Sequence, residues 1–360
     1  MHIPDGYLSP ATCGALGAVM LPVWGRAGSR VRKVVKSQYV PLVALGAAYC
    51  FIVMMFNVPI PDGTTAHAVG AVLIAVLLGP WAAVIAVSVA LIIQALFFGD
   101  GGVLAFGANA FNMAFVMPFV GYGVYLALTR RVALTSPRRA FAAGVGGYVG
   151  LNAAALCAAV EFGLQPTLFH TADGSPLYAP FGLSQTIPAM ALAHLAVAGV
   201  VEAVLTAGVI TYLQRANLPV LRLNHPGLDD DASTPLAGAP APSFTWRWAA
   251  IGLATMAVLT PLGLIAPGGA FGEDSPDELD LQKYRLSAVP EGLRSYAGWW
   301  HHAIFDGYGF SNESHPVLAY LVSAAVGIAV IGLVIGAIFF VIGRFRNRAP
   351  RIGGMTGAST

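Results

Sequence analysis

Long apolar runs broken by short polar and basic segments set the pattern of this chain. Nine runs are able to cross or nearly cross a bilayer: 7–24, 40–58, 66–79, 80–98, 106–128, 140–163, 184–213, 246–266 and 316–343. A spanning helix needs about 20 predominantly apolar residues. The run 66–79 falls short of that and ends at Gly79-Pro80. Two readings of 66–98 therefore stand side by side, two separate crossings or one re-entrant pair. The pattern predicts an all-α polytopic membrane protein, with about seven helices in a core over 1–213. A linker, 214–245, rich in Pro, Ala and Asp and without apolar period, follows it. Residues 246–343 then give two further membrane helices flanking a loop, 267–315, and 344–360 form a tail.

Composition supports a membrane location. Hydrophobic residues make up 57% of the 360 positions and charged residues only 10%. A soluble domain carries about 25% charged residues, so this chain cannot build a soluble surface and membrane lipid is its solvent. Gly (42) and Pro (24) are frequent enough for closely packed membrane helices. The net charge of +2 gives no reason to expect a nucleic-acid partner. Cys13, Cys50 and Cys157 lie in apolar runs without CxxC spacing and read as buried thiols.

Basic residues predict the orientation. With nine crossings and the N-terminus outside, the segments 25–39, 129–139, 214–245 and 344–360, with Arg247 at an edge, hold sixteen of the 19 Lys and Arg. Only Lys283, Arg285 and Arg294 fall elsewhere. By the positive-inside rule this places the N-terminus and the loop 267–315 outside and the C-terminus in the cytoplasm. The expected location is the cytoplasmic (plasma) membrane.

The start, MHIPDGYLSP, lacks the basic-apolar-small order of a secretory signal. Trimming of an initiator Met requires a small second residue, and His2 is large, so Met1 is expected to keep a free α-amine. That amine, the His2 amide nitrogen and His2 Nδ1 can close two adjacent chelate rings on one metal. An ionised amide nitrogen is a strong, planar donor that favours square-planar Ni(II) or Cu(II) over tetrahedral Zn(II). Three such donors leave one in-plane position. His67, in NVPIPDGTTAHAVGA, shares the expected face with Met1, beyond stiffening Pro59 and Pro61 and the turn Asp62-Gly63. It reads either as the fourth ligand or as a packed histidine at a helix start.

Other polar positions carry paired readings too. Asn109 and Asn112 share a helical face in GDGGVLAFGANAFNMAFVMPFVG, where Gly107, Ala108 and Ala110 allow close helix approach. They read as braces behind the metal ligands or as ordinary interhelical hydrogen bonds. His194 and Glu202 lie within one span near one face. They read as a functional intramembrane pair or as a buried pair locking helices. Glu161 reads as reaching the interface from a span end, and His301, His302 and His315, beside Trp299-Trp300 or Pro316, as interfacial. There is no GxxxxGK[ST], HExxH or GxSxG motif. Any ATP-driven step thus needs a partner ATPase.

Four segments in order resemble a known family: MHIPDGYLSP, PDGTTAHAVGAVLIAVLLGPWAAV, QALFFGDGGVLAFGANAFNMA and PAMALAHLAVAGVVEA. Together, over about residues 1–215, they are similar to the NikM/CbiM substrate-binding components of nickel/cobalt energy-coupling-factor transporters. The later part, with EDSPDELDLQ between two spans, resembles the fused NikN/CbiN accessory component. The usual PDGLE motif there is Pro276-Asp277-Glu278-Leu279-Asp280, with Glu in place of Gly.

The resemblance implies a non-enzymatic capture component of an ATP-driven importer. Its metal is substrate, held by Met1, His2 and His67, and it has no cofactor. Its partners are a membrane coupling subunit and ATPase subunits. IPDGYLSP and GDGGVLAFGAN look closer to the nickel branch. Cobalt members more often open with an MEG-type sequence, and cobalt uptake for cobalamin biosynthesis is the alternative. A metal-dependent membrane enzyme or sensor using His194 and Glu202 is a separate class, without a base–nucleophile constellation to support it.

Overall fold

A computed structural model describes residues 1–34, 40–60, 65–225, 246–266, 269–310 and 314–346. The expected turn at Asp62-Gly63, most of the linker segment and the end of the tail lie outside these residues. The structure is all-α apart from a two-stranded ribbon, β1 (Val58–Pro59) and β2 (Thr65–Ala66). Among the described residues six helical segments are long and apolar enough to cross a membrane: Pro80–Phe98, Phe106–Leu128, Pro137–Leu168, Leu183–Ala216, Arg247–Ile265 and Pro316–Val341. They come from a chain that also carries α1 (Pro10–Val34) and the shorter apolar α2 (Val40–Met54). The molecule is a multi-pass helical membrane protein.

The short third run resolves into two pieces. Thr65–Ala66 is strand, residues 67–70 are non-helical with Gly70 at φ +79°, and only Ala71–Leu78 forms a helix, α3. Eight residues rise about 12 Å, far short of a crossing. Non-helical backbone inside a membrane protein is tolerated only where its polar groups are satisfied within the protein. Here a buried carboxylate meets that need. Glu202 Oε2 accepts hydrogen bonds from Val69 N and Gly70 N, each at 2.9 Å. The other end of α3 stops at Gly79, whose N–H donates to Ala75 O; Asn224 Nδ2 donates to the same carbonyl and to Val76 O, which the helix end leaves without a helical partner.

α4 (Pro80–Phe98) is the central column, with 72% of its apolar window buried against 11% for Arg247–Ile265 and 22% for Pro316–Val341. The next span runs as α5 (Phe106–Asn109), a π-helical stretch (Ala110–Val116) and α6 (Met117–Leu128). α7 (Pro137–Leu168) crosses beside it. Apolar helices gain little from hiding apolar surface from lipid, so close backbone packing must hold them. A Cβ on Gly146 of α7 would stand 2.5 Å from Gly121 O of α6, and one on Gly150 2.6 Å from Met117 O. Gly146 and Gly150 thus form the seam of this pair, while Gly144 and Gly147 of the same run face residues 202–207 of the later span.

α8 (Leu183–Ala193), a π-helical turn (His194–Ala198) and α9 (Gly199–Ala216) form the next span. Residues 218–222 make a short helix, α10, and Val220, Leu221 and His225 after α9 are buried. At this end of the bundle Arg139, at the start of α7, is also buried. It donates to Val132 O, Ala133 O and Tyr125 Oη, and that hydroxyl meets His225 Nε2 at 3.2 Å.

α11 (Trp246–Leu259) and α13 (Pro316–Arg346) lie at the periphery, α13 against α2 and α4. Between them, residues 269–310 fold over the opposite end of the bundle, the end that holds the N-terminus. That layer includes α12 (Glu291–Tyr296) and buries Leu293 and Tyr308. Ala270 forms a parallel bridge with Thr65 of β2, and Gly292 N donates to Leu177 O at 2.8 Å.

Candidate metal centre

The first nine residues are threaded into the protein. Met1 is 3% exposed, His2 2% and Ile3 0%. Each has a named anchor. Asn109 grips Ile3 from both sides: its Oδ1 accepts Ile3 N at 2.8 Å and its Nδ2 donates to Ile3 O at 3.0 Å. Gly102 N donates to the same carbonyl at 2.8 Å. Asp5 accepts Val103 N and Ala105 N, each at 3.0 Å. Burial pushes the Asp5 carboxyl above the usual carboxylate range, opposed by these amides. The loop after α4 can wrap this closely because Gly101 has φ +79° and a Cβ on Gly102 would strike Asp5. Ser9 Oγ accepts Thr12 N at 3.1 Å and so caps α1, while Ser9 N donates to Gln165 Oε1 at 2.9 Å.

The threading brings Met1, His2 and His67 together. His67 Nε2 lies 3.1 Å from His2 Nδ1. His67 sits in the non-helical segment between β2 and α3, not at a helix start, and its Nδ1 lies 3.0 Å from Ala68 O. A carbonyl only accepts, so Nδ1 carries the proton and Nε2 offers a lone pair. Asp100 Oδ1, another acceptor, lies 3.2 Å from His2 Nδ1. Acceptors thus converge on one point, which a proton on His2 Nδ1 fills and where a cation fits. The Met1 amine, next along the chain, lies 3.2 Å from Glu273 Oε1 of the covering layer.

Among the described residues no cluster of three or more His, Cys, Asp or Glu side chains forms a metal cage.

The two asparagines part company. Asn109 grips Ile3, whereas Asn112 donates to Glu161 Oε2 at 2.8 Å. Glu161 is buried inside α7 rather than at an interface, because α7 runs on to Leu168. His194 and Glu202 point to different partners. His194 Nδ1 lies 2.7 Å from Met190 O, while Glu202 holds the Val69 and Gly70 amides just after His67. His301 and His302 are exposed beside Trp300, whose Nε1 donates to Leu96 O.

Several neighbours of the site gave no sequence signal. Asp5, Asp100, Gln165 and Glu273 are polar residues in or beside loops, and only the tertiary fold supplies their partners. Asp100 also accepts from the buried Tyr308 hydroxyl, which Gln94 Nε2 contacts at 2.8 Å.

The helical membrane bundle thus buries its own N-terminus against a histidine from a non-helical segment inside the bundle. Residues 2–219 match the sequence profile described as the cobalt uptake substrate-specific transmembrane region, CbiM. The chain is 47% identical over 349 residues to the fused nickel transport protein NikMN of Rhodobacter capsulatus, covering 93% of this chain and 96% of that one. It is 45% identical over 340 residues to the probable fused nickel transport protein LarMN of Lactiplantibacillus plantarum, again covering 93% and 96%. A solved structure of a truncated transition metal transporter is 58% identical, with a TM-score of 0.55, and the match covers 59% of this chain and 98% of that one. The chain belongs to the CbiM family of nickel and cobalt transport proteins. Its metals are substrates.

Proposed function

We propose that this chain is the substrate-capture component of an ATP-driven energy-coupling-factor importer and that its substrate is Ni(II). The metal sits in a square plane made by the Met1 amine, the His2 amide nitrogen, His2 Nδ1 and His67 Nε2. The observation that carries this reading is the 3.1 Å separation of the two ring nitrogens beside the buried Met1 amine. Metal–nitrogen bonds of about 2 Å put neighbouring donors of a square about 2.8 Å apart, so these two ring nitrogens stand within a few tenths of an ångström of the spacing the plane requires. Asn109 acts as a brace, holding the Ile3 backbone and hence the chelate turn. Asn112 supports the next layer out through Glu161.

Nickel is favoured because the two fused relatives that match over nearly their whole length are named nickel transport proteins. Cobalt is the second reading, because the family description names cobalt uptake. Residues 1–213 form the capture part, 214–245 the linker and 246–343 the accessory part, whose loop 267–315 covers the site from outside. The tail, 344–360, lies in the cytoplasm. A membrane coupling subunit and ATPase subunits complete the importer, and ATP drives inward release.

The test is X-ray absorption on the full purified chain loaded with one equivalent of nickel or cobalt. Four planar nitrogen donors, with nickel retained over cobalt in competition, support the reading. An oxygen-rich octahedral signal overturns the chelate, and preferential retention of cobalt replaces the metal.

A further inference from the structure

His194 has no part in the four-donor plane, yet its surroundings suit it to the site. It opens the π-helical turn His194–Ala198, and this turn packs against β2, the strand that leads into His67. A π turn inside an α-helix is rare and frequently marks a functional site. Gly199 makes room for it: a Cβ there would stand 2.5 Å from His194 O.

The ring is 2% exposed. Its Nδ1 lies 2.7 Å from Met190 O, so Nδ1 is the donor and Nε2 bears a lone pair. That Nε2 is buried and has no hydrogen-bond partner among the described residues. Such an orphan is costly in a dry interior. Because the turn packs against Thr65–Ala66, His194 stands at the same end of the bundle as His67 and the Met1 amine, whose charge is felt at both rings.

A metal-bound amine still carries two N–H bonds. In a site this dry each needs an acceptor. Glu273 Oε1, 3.2 Å from the Met1 nitrogen, serves one. We propose that His194 is a positioning residue of the metal site, whose Nε2 accepts the second N–H of the metal-bound Met1 amine. The orphan lone pair is satisfied when metal arrives, and the amine is held with its own lone pair toward the ion. This inference rests on the N-terminal chelate reading.

The experiment compares the full purified chain with His194→Gln, His194→Phe and His194→Ala by nickel titration against a competing chelator. Each variant is also examined by visible absorption and thermal melting without metal. Partners of this kind are worth about 10–100-fold in metal affinity. His194→Phe and His194→Ala are expected to lose that much, while metal-free melting is unchanged or raised because an orphan acceptor is gone. His194→Gln, whose Oε1 can accept, should recover most of the loss, and the absorption band should keep its position in all variants. Wild-type affinity in the Phe and Ala variants overturns the proposal. A changed band or a lost nitrogen neighbour in X-ray absorption also overturns it, since His194 would then be a ligand. Failure of the wild-type chain to bind nickel, or equal binding after a one-residue N-terminal extension, strikes the chelate reading itself and is read separately.

Discussion

Replacing His67 with Ala removes one of the four proposed donors but leaves the two chelate rings of Met1 and His2. Nickel binding should therefore weaken by two to three orders of magnitude, about 3–4 kcal/mol, without vanishing. Competitive titration measures this, and unchanged affinity would remove His67 from the site. Asn109→Ala acts one step further out. It leaves the buried Ile3 N–H and C=O short of a partner, at about 1–3 kcal/mol. Melting of the metal-free chain should fall and nickel affinity should drop with it; an unaltered affinity would deny Asn109 its bracing role. These residues differ in how readable they were. His2 announces itself because its position after Met1 creates chelate rings without any fold. Asn109 and Asn112 looked equivalent at a spacing of three, yet one meets Ile3 and the other Glu161. Only the path of the threaded N-terminus and the reach of α7 separate them.

At the level of elements, the informative case is the short third run. Its length marked it as unfit to cross as a helix, and α3 has only eight residues. Hydropathy did not reveal that a non-helical segment supplies the rest, because non-helical backbone in a membrane depends on a distant partner. That partner is Glu202, 132 residues away from Gly70. An ionisable residue in a span was a visible signal, but its bond to backbone amides was not. Glu202→Leu strands the Val69 and Gly70 amides and should cost about 2–4 kcal/mol of stability. It should also lower nickel affinity by releasing the segment that carries His67. Glu202→Gln keeps a carbonyl acceptor and should do less harm. Thermal melting with and without nickel distinguishes the two, and equal effects of Leu and Gln would contradict the bonding role. The glycine seam between α6 and α7 was legible only as a high glycine content; neither its position nor its partner face was.

Across the whole molecule, the covering layer was the least legible part. Residues 269–310 have no apolar period, and their contacts to the N-terminus span about 270 positions, as with Met1 and Glu273. Tyr308 connects this layer to the loop holding Asp100. Tyr308→Phe should therefore leave the bundle intact but speed nickel exchange, which stopped-flow removal by a chelator would detect; an unchanged rate would mean the layer does not restrain the site. Protonation offers a second global test. Loading the plane displaces protons from the Met1 ammonium and the His2 amide, and metal competes with protons for these nitrogens. Affinity should rise with pH, by about two orders of magnitude per unit while the amine is protonated. A flat profile would argue against an ionised amide donor.

The central claim is that Met1 itself binds the metal. The most direct measurement is the nickel content and visible absorption of the purified full chain, as it stands and with one residue added before Met1. The addition turns the amine into an amide and breaks the first chelate ring. The account predicts one nickel per chain with a weak visible band in the native form, and loss of both in the extended form. Equal nickel and an identical band in the two forms would contradict it.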